Sequence, residues 1–308
     1  MVGVLIGFAI IVAVIGVGYL VGRFNLLGPH ANHVLSRLAF FVLSPALLFT
    51  VLAGADVTHL FSALLPISAI AAAVNIAAFL LVSLLIWRRR LSEATVGALA
   101  SGYVNANNIG LPVSVYVLGD ASSSAPVILL QLIILAPIAL TILDVTTSGT
   151  LSVRRILLQP VRNPLIIGSL LGVIVAVTHL KIPVPVMAPF TLIGGAAVPV
   201  ILMSFGMSLH GSRVLAAGTN RKDVILASAL KLAAMPVIAW LLGHFVWHLE
   251  GHRLFVVVVL AALPTAQNVF NYAQRYDRGV TMARDTVLIT TALSIVALVI
   301  IAALLAPG

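Results

Sequence analysis

The stretch from Tyr103 to Val113, YVNANNIGLPV, places three asparagines, a glycine and a proline in an otherwise apolar part of the chain. Only 8% of the 308 residues are charged and 61% are hydrophobic, with a mean hydropathy of +1.20. Soluble domains are about 45–50% apolar, so the composition predicts a polytopic membrane protein. Because hydrocarbon offers no hydrogen bonds, the polar groups of this stretch need partners within the protein or a wet cavity.

Apolar runs of about 20 residues alternate with short polar breaks, which predicts spanning helices and an all-α bundle. There are ten such segments. They cover residues 3–22, 35–54, 60–87, 94–118, 124–146, 163–180, 187–209, 223–247, 253–274 and 285–306.

The basic residues lie almost entirely in alternate breaks, which orients the chain. Of the 17 Lys and Arg residues, 14 fall on one side, and only Lys181 and Arg253 fall in the breaks of the other side. By the positive-inside rule both termini lie outside the cytoplasm. The net charge of +9 therefore reflects topology, and no nucleic-acid partner is expected. The residues of the basic side are Arg23, Arg37, Arg88, Arg89, Arg90, Arg154, Arg155, Arg162, Arg213, Arg221, Lys222, Arg275, Arg278 and Arg284.

The longest break divides the chain into a first unit of five segments (1–147), a short cytoplasmic linker (148–162) and a second unit of five (163–308). Because five is odd, the second unit enters the membrane inverted relative to the first, as in many secondary transporters. Two matches support a repeat. SPALLFTVLAG (44–54) resembles VPVILMSFGMS (198–208), and NANNIGLP in segment four resembles LPTAQNVFN (263–271) in segment nine.

Segments four and nine combine polar side chains with residues that disrupt helices. Pro112 and Pro264 each remove a backbone donor, Gly110 loosens the first break, and Thr265 offers a hydroxyl to freed backbone groups. Two such breaks in corresponding positions predict a substrate site near the middle of the membrane. The alternative, plain structural kinks, stays open.

Amide side chains near the two breaks are the predicted substrate ligands. Asn105 and Asn108 share one helix face, whereas Asn107 projects about 100 degrees from Asn108 and is expected to support the fold. From segment nine the predicted ligands are Gln267, Asn268 and Asn271.

Four motifs are similar to those of the auxin efflux carrier family, which includes plant auxin carriers and bacterial carriers of malonate and malate. They are NANNIGLPV, ALPTAQNVFNYAQRYD (262–277), LSRLAFFVLSPALLF (35–49) and GGAAVPVILMSFGMSL (194–209). The resemblance implies two inverted five-helix repeats whose fourth and ninth helices are broken and cross at Pro112 and Pro264, with Asn105 contacting substrate. It also implies an elevator in which segments three to five and eight to ten move against a scaffold of segments one, two, six and seven.

The positions of the charged residues indicate which of them could couple transport to an ion gradient. Neither broken segment carries an acid in its middle, which disfavours a cation exchanger built on carboxylates. Asp144 near the end of segment five is interpreted as an interface residue, with a coupling role as the alternative. Lys231 in segment eight is predicted to snorkel to the cytoplasmic side, with a buried counter-charge as the alternative. No metal site and no cofactor are expected.

The sequence thus predicts a secondary transporter of a small carboxylate in the inner membrane of a bacterium, and not an enzyme. Its predicted partners are the carboxylate and the lipid bilayer, with a homodimer left open. The alternative function is a channel or a non-transporting receptor built on the same bundle.

Overall fold

The computed structural model describes residues 2–55, 63–148, 163–209 and 221–306. These residues form helices joined by short loops, which confirms the predicted all-α class. The helices are α1 (Val2–Arg23), α2 (Ala31–Ala53), α3 (Leu64–Ile86), α4 (Leu91–Gly102), α5 (residues 106–116), α6 (Ala121–Thr147), α7 (Pro164–Thr178), α8 (Val184–Leu209), α9 (Arg221–Val246), α10 (Gly251–Ala261), α11 (Gln267–Tyr276) and α12 (Val280–Leu305).

The helices lie where the sequence places the apolar segments, and the predicted segments four and nine are each divided between two helices. Within the described residues, six helices are long and apolar enough to cross a membrane, namely α2, α3, α6, α8, α9 and α12. Of the predicted linker at 148–162, only residue 148 is among the described residues. Arg154, Arg155, Arg162 and Arg213 also lie outside them.

The helices pack mainly in two groups. Helices α1, α2, α7 and α8 contact one another, and helices α3 to α6 pack with α9 to α12. The first group is held at close range by glycines: a Cβ atom on Gly18 would lie 2.2 Å from the carbonyl oxygen of Met203, and one on Gly168 would lie 2.5 Å from that of Pro45. Small residues that allow close backbone approach are typical of helix pairs in membranes.

The second group contains the same local geometry twice, 160 positions apart. A π-helical turn at Val82–Ile86 precedes α4, and another at Leu242–Val246 precedes α10. Each turn is followed by a tryptophan, Trp87 or Trp247, and then by a residue with positive φ, Arg88 at 52° or His248 at 49°. Helices α4 and α10 follow, and extended backbone precedes the next helix in both cases. Helix α4 ends at the extended residue Tyr103, whereas α10 ends in a turn at Ala262 that leads to the extended residue Ala266.

Candidate functional site

The two interruptions pair with each other through their backbones. The Asn105 amide donates to the carbonyl of Pro264 at 2.8 Å, and the Ala266 amide donates to the carbonyl of Tyr103 at 3.0 Å. Val104 and Thr265 form an antiparallel bridge between these contacts. Groups that would be unpaired at a helix break, at a cost of several kcal/mol each in hydrocarbon, therefore satisfy one another across the two halves of the chain.

The first interruption does not lie at Gly110 and Pro112, and the sequence prediction is wrong in position there. The extended residues are Tyr103 to Asn105, whereas Gly110 ends a π-helical turn and Pro112 follows it in the first turn of an α-helix. Proline is tolerated inside a membrane helix where a local π-helical turn, such as the one at residues 106–110, lets other groups satisfy the freed backbone. Pro264 and Thr265, in contrast, do lie in the second interruption.

Side-chain hydrogen bonds also pair with backbone groups near the two interruptions. The Thr265 hydroxyl donates to the carbonyl of Ala100 at 2.6 Å, and the Thr265 amide donates to the hydroxyl of Thr290 at 3.1 Å. All three residues are buried. Thr265 therefore fixes the second interruption both to α4 and to α12.

Asn105 begins helix α5 as its N-cap. Its Oδ1 accepts the backbone amide of Asn108 at 3.2 Å, and its side chain is buried. Asn107 Nδ2 donates to Asn108 Oδ1 at 2.8 Å, so these two side chains lie together and not on separate faces. The expected angle of about 100 degrees holds for an α-helix, whereas residues 106–110 form a π-helical turn.

A cavity of about 730 Å³ lies between the two helix groups, next to the paired interruptions. All five predicted ligands line it, and Asn107 lines it as well. One wall comes from the broken segments, with Asn105, Asn107, Asn108, Gln267, Asn268, Asn271 and Gln274. The structure thus brings together the amides that the sequence analysis selected from segments four and nine.

The opposite wall contains residues that the sequence analysis did not select. Asn32, His33, Ser36 and Arg37 from the start of α2 line the cavity with Ser204 of α8. Arg37 was assigned only to topology. The available signal was the spacing of four residues between His33 and Arg37, with Ser36 beside them, which places polar groups on one helix face.

Among the described residues that line the cavity, the only side chains that are or can become positively charged are Arg37 and His33, and none carries a carboxylate. A cavity with amide donors on one wall and a guanidinium on the other favours an anion over a cation.

Comparison with known proteins agrees with a transport function. The family model described as "Membrane transport protein" matches residues 4–302. The chain belongs to this family. A relative from Rhizobium meliloti (strain 1021) named "Putative malonate transporter" is 25% identical over 289 residues, covering 90% of this chain and 88% of the relative. An "Uncharacterized transporter" from Methanothermobacter thermautotrophicus is 28% identical over 286 residues, with 91% of each chain covered.

Membership of the family confirms the resemblance found in the sequence motifs. The protein is a multi-pass membrane transport protein, and the family and the relatives' names indicate a transporter and not an enzyme.

Asp144 and Lys231, the two charged residues considered for coupling, do not line the cavity of this membrane transport protein. Lys231 is fully buried, so the prediction that it snorkels to the surface is wrong. Its ammonium donates to the carbonyl of Ala261 at 3.2 Å and lies 2.8 Å from the sulfur of Met235. The positive group therefore sits at the carbonyl end of α10, where a helix dipole favours a cation.

In the first half of the chain an amide takes the place of this ammonium. Asn75 Nδ2 donates to the carbonyl of Ser101 at 3.0 Å, and Ser101 lies 160 positions before Ala261. The two helices that end at the breaks are thus capped by a neutral group in one half and by a charged group in the other.

Asp144 is buried, and its Oδ1 accepts the hydroxyl of Tyr276 at 2.7 Å. This bond joins α6 to the end of α11, so Asp144 links a helix of the first half to the helix that follows the second break.

Proposed function

We propose that this chain is a secondary active transporter of a small organic anion, a carboxylate of the malonate or malate kind, bound where the two interruptions meet. The observation that carries the proposal is the cavity itself. Amides from both breaks form one of its walls, and the charged side chains among its described lining are cationic. The name of the Rhizobium meliloti relative agrees with this substrate class.

We propose that the ten predicted segments form two inverted repeats, 1–147 and 163–308, whose broken segments cross at the site. The geometry repeated at 160 positions supports this arrangement, and the backbone pairing between the two breaks maps onto itself under a shift of 161 positions. The Asn105 amide bonded to the Pro264 carbonyl corresponds to the Ala266 amide bonded to the Tyr103 carbonyl, and the Val104–Thr265 bridge lies between these two bonds.

The mechanism we propose is an elevator, in which the second helix group carries the site past the first. The cavity lies between the two groups, with ligands from one and Arg37 from the other. The proposed location is the bacterial inner membrane with both termini in the periplasm. The basic residues at the described ends of α1, α3 and α11 agree with this orientation.

Uptake by proteoliposomes tests the function. We expect purified protein to accumulate labelled malonate or malate with saturation, with a dependence on a proton or sodium gradient. Asn108→Ala and Asn268→Ala should each lower uptake by about tenfold, because each removes a hydrogen bond to a charged ligand worth about 1.5–3 kcal/mol. Thr178→Ala, at the exposed end of α7 and outside the cavity lining, is the matched control.

Uptake that rises linearly with concentration would support a channel instead, and a protein that moves neither anion would contradict the proposed substrate class.

A further inference from the structure

The wall opposite the broken segments is built as a second polar surface. The Ser204 hydroxyl donates to Asn32 Oδ1 at 2.7 Å, and the Ser36 and Ser204 hydroxyl oxygens lie 2.7 Å apart. Because the single hydroxyl hydrogen of Ser204 is used in its bond to Asn32, the Ser36 hydroxyl is the donor between the two serines. These bonds join α2 to α8 and hold the start of α2 in a fixed position at the cavity.

Arg37 follows this network on the same helix and lines the same cavity. Its guanidinium lies 5.4 Å from the centre of the Phe41 ring, an aromatic contact that leaves its N–H donors free to bind. The ion pairs found within the described residues, Arg89 with Asp223 and Arg284 with Asp285, do not involve Arg37. A cation on a cavity wall with no carboxylate partner among the described residues is a candidate anion ligand.

His33 lies four residues before Arg37 and therefore on the same helix face, and it also lines the cavity. The guanidinium offers paired donors that match the two oxygens of a carboxylate. The amides of α5 and α11 line the same cavity. The volume of about 730 Å³ is of the size that holds small ligands with water.

We propose that Arg37, assisted by His33, forms a second anion subsite, so that the preferred solute carries two carboxylates and bridges the two walls. This inference rests on the proposed function. One carboxylate would bind the amides of the broken segments, and the other would bind Arg37. An anion with a single carboxylate would leave one wall unmatched, so Arg37 determines the preference for dicarboxylates.

The test compares malonate with its monomethyl ester, which differs by the loss of one carboxylate. We expect wild-type protein in proteoliposomes to prefer malonate by about tenfold or more, since a charge-assisted hydrogen bond contributes about 1.5–3 kcal/mol. Arg37→Gln should lose most of this preference by weakening malonate while changing the ester little. Arg37→Lys keeps the charge and should retain part of the preference.

Arg23→Gln is the matched control, because Arg23 is an exposed arginine at the end of α1 and does not line the cavity. It should keep the wild-type preference. Protection of each purified variant against heat by malonate and by the ester measures binding directly, and it also shows whether the variant is folded.

An Arg37→Gln protein that is folded and keeps the wild-type ratio overturns the subsite and leaves the proposed function intact. A wild-type protein that prefers the ester also overturns the subsite and leaves the proposed function intact. Wild-type protein that neither binds nor moves either anion overturns the proposed function, and the subsite with it.

Discussion

At the scale of single residues, the least expected feature is Lys231. Burying an ammonium is costly unless it is well paired, and here its contacts are a carbonyl of Ala261 and a thioether of Met235. We therefore expect the charge of Lys231 to have a functional use. Because Lys231 contacts the end of α10, next to the second interruption, the simplest use is an electrostatic contribution to anion binding.

Lys231→Met tests this use because it keeps the length of the side chain and removes the charge. The melting temperature should stay the same or rise, since replacing a buried charge by an apolar group is often neutral or stabilising. Anion uptake should fall by about tenfold, because a unit charge about 10 Å from a bound anion contributes roughly 1–2 kcal/mol at an effective dielectric constant of about 20. Uptake equal to wild type would show that the charge has no part in transport.

Thr265 is the residue that ties the second interruption to its neighbours. Thr265→Val leaves the buried carbonyl of Ala100 without its donor, which costs about 1–3 kcal/mol. We expect a lower melting temperature for the valine variant and recovery in Thr265→Ser, which restores the hydroxyl. Equal melting temperatures for the valine and serine variants would contradict a role for this hydrogen bond.

At the scale of elements, glycines set the distance between α1 and α8. A Cβ atom on Gly18 would meet the carbonyl of Met203 at 2.2 Å, whereas one on Gly16 would meet nothing within 4 Å. Gly18→Ala should therefore force the helices apart and destabilise the protein by about 1–3 kcal/mol.

Gly16→Ala is its matched control, two residues away on the same helix, and should fold like wild type. Thermal melting and the fraction of monodisperse protein after purification measure both variants. Equal behaviour of the two alanine variants would mean that this helix contact is not as close as described.

Most of the helices could be predicted from the sequence because they lie in nearly continuous apolar runs, which are a local property. The position of the first interruption could not. Proline chemistry pointed to Pro112, but the extended residues at 103–105 are stabilised by Pro264 and Ala266, about 160 positions later. Such pairing is visible only once both halves are folded. Arg37 was missed for a different reason: its basic character fitted the topology rule, so the polar helix face that it shares with His33 was not interpreted as part of a cavity wall.

At the scale of the whole molecule, orientation in the membrane can be tested cleanly because the chain has no cysteine. Leu26, between α1 and α2, and Leu180, between α7 and α8, are both well exposed. The positive-inside rule places Leu26 in the cytoplasm and Leu180 outside. In intact cells an impermeant thiol reagent should label Leu180→Cys and should label Leu26→Cys only after permeabilisation. The reverse pattern would invert the proposed topology.

The membrane face to which the cavity opens can be tested in the same way. Its lining includes the start of α2, Asn163 and Gln274, each next to a basic break, so in the described state it should open to the cytoplasm. Asn107→Cys places a thiol on the cavity wall and should react fastest in the vesicle orientation that exposes Leu26→Cys. Because an elevator carries the site across, a slower reaction from the opposite side should appear as well, and saturating malonate should slow both. Reaction from the Leu180 side alone would contradict the cytoplasmic opening, and a thiol that reacts equally fast from both sides would favour an open pore over alternating access.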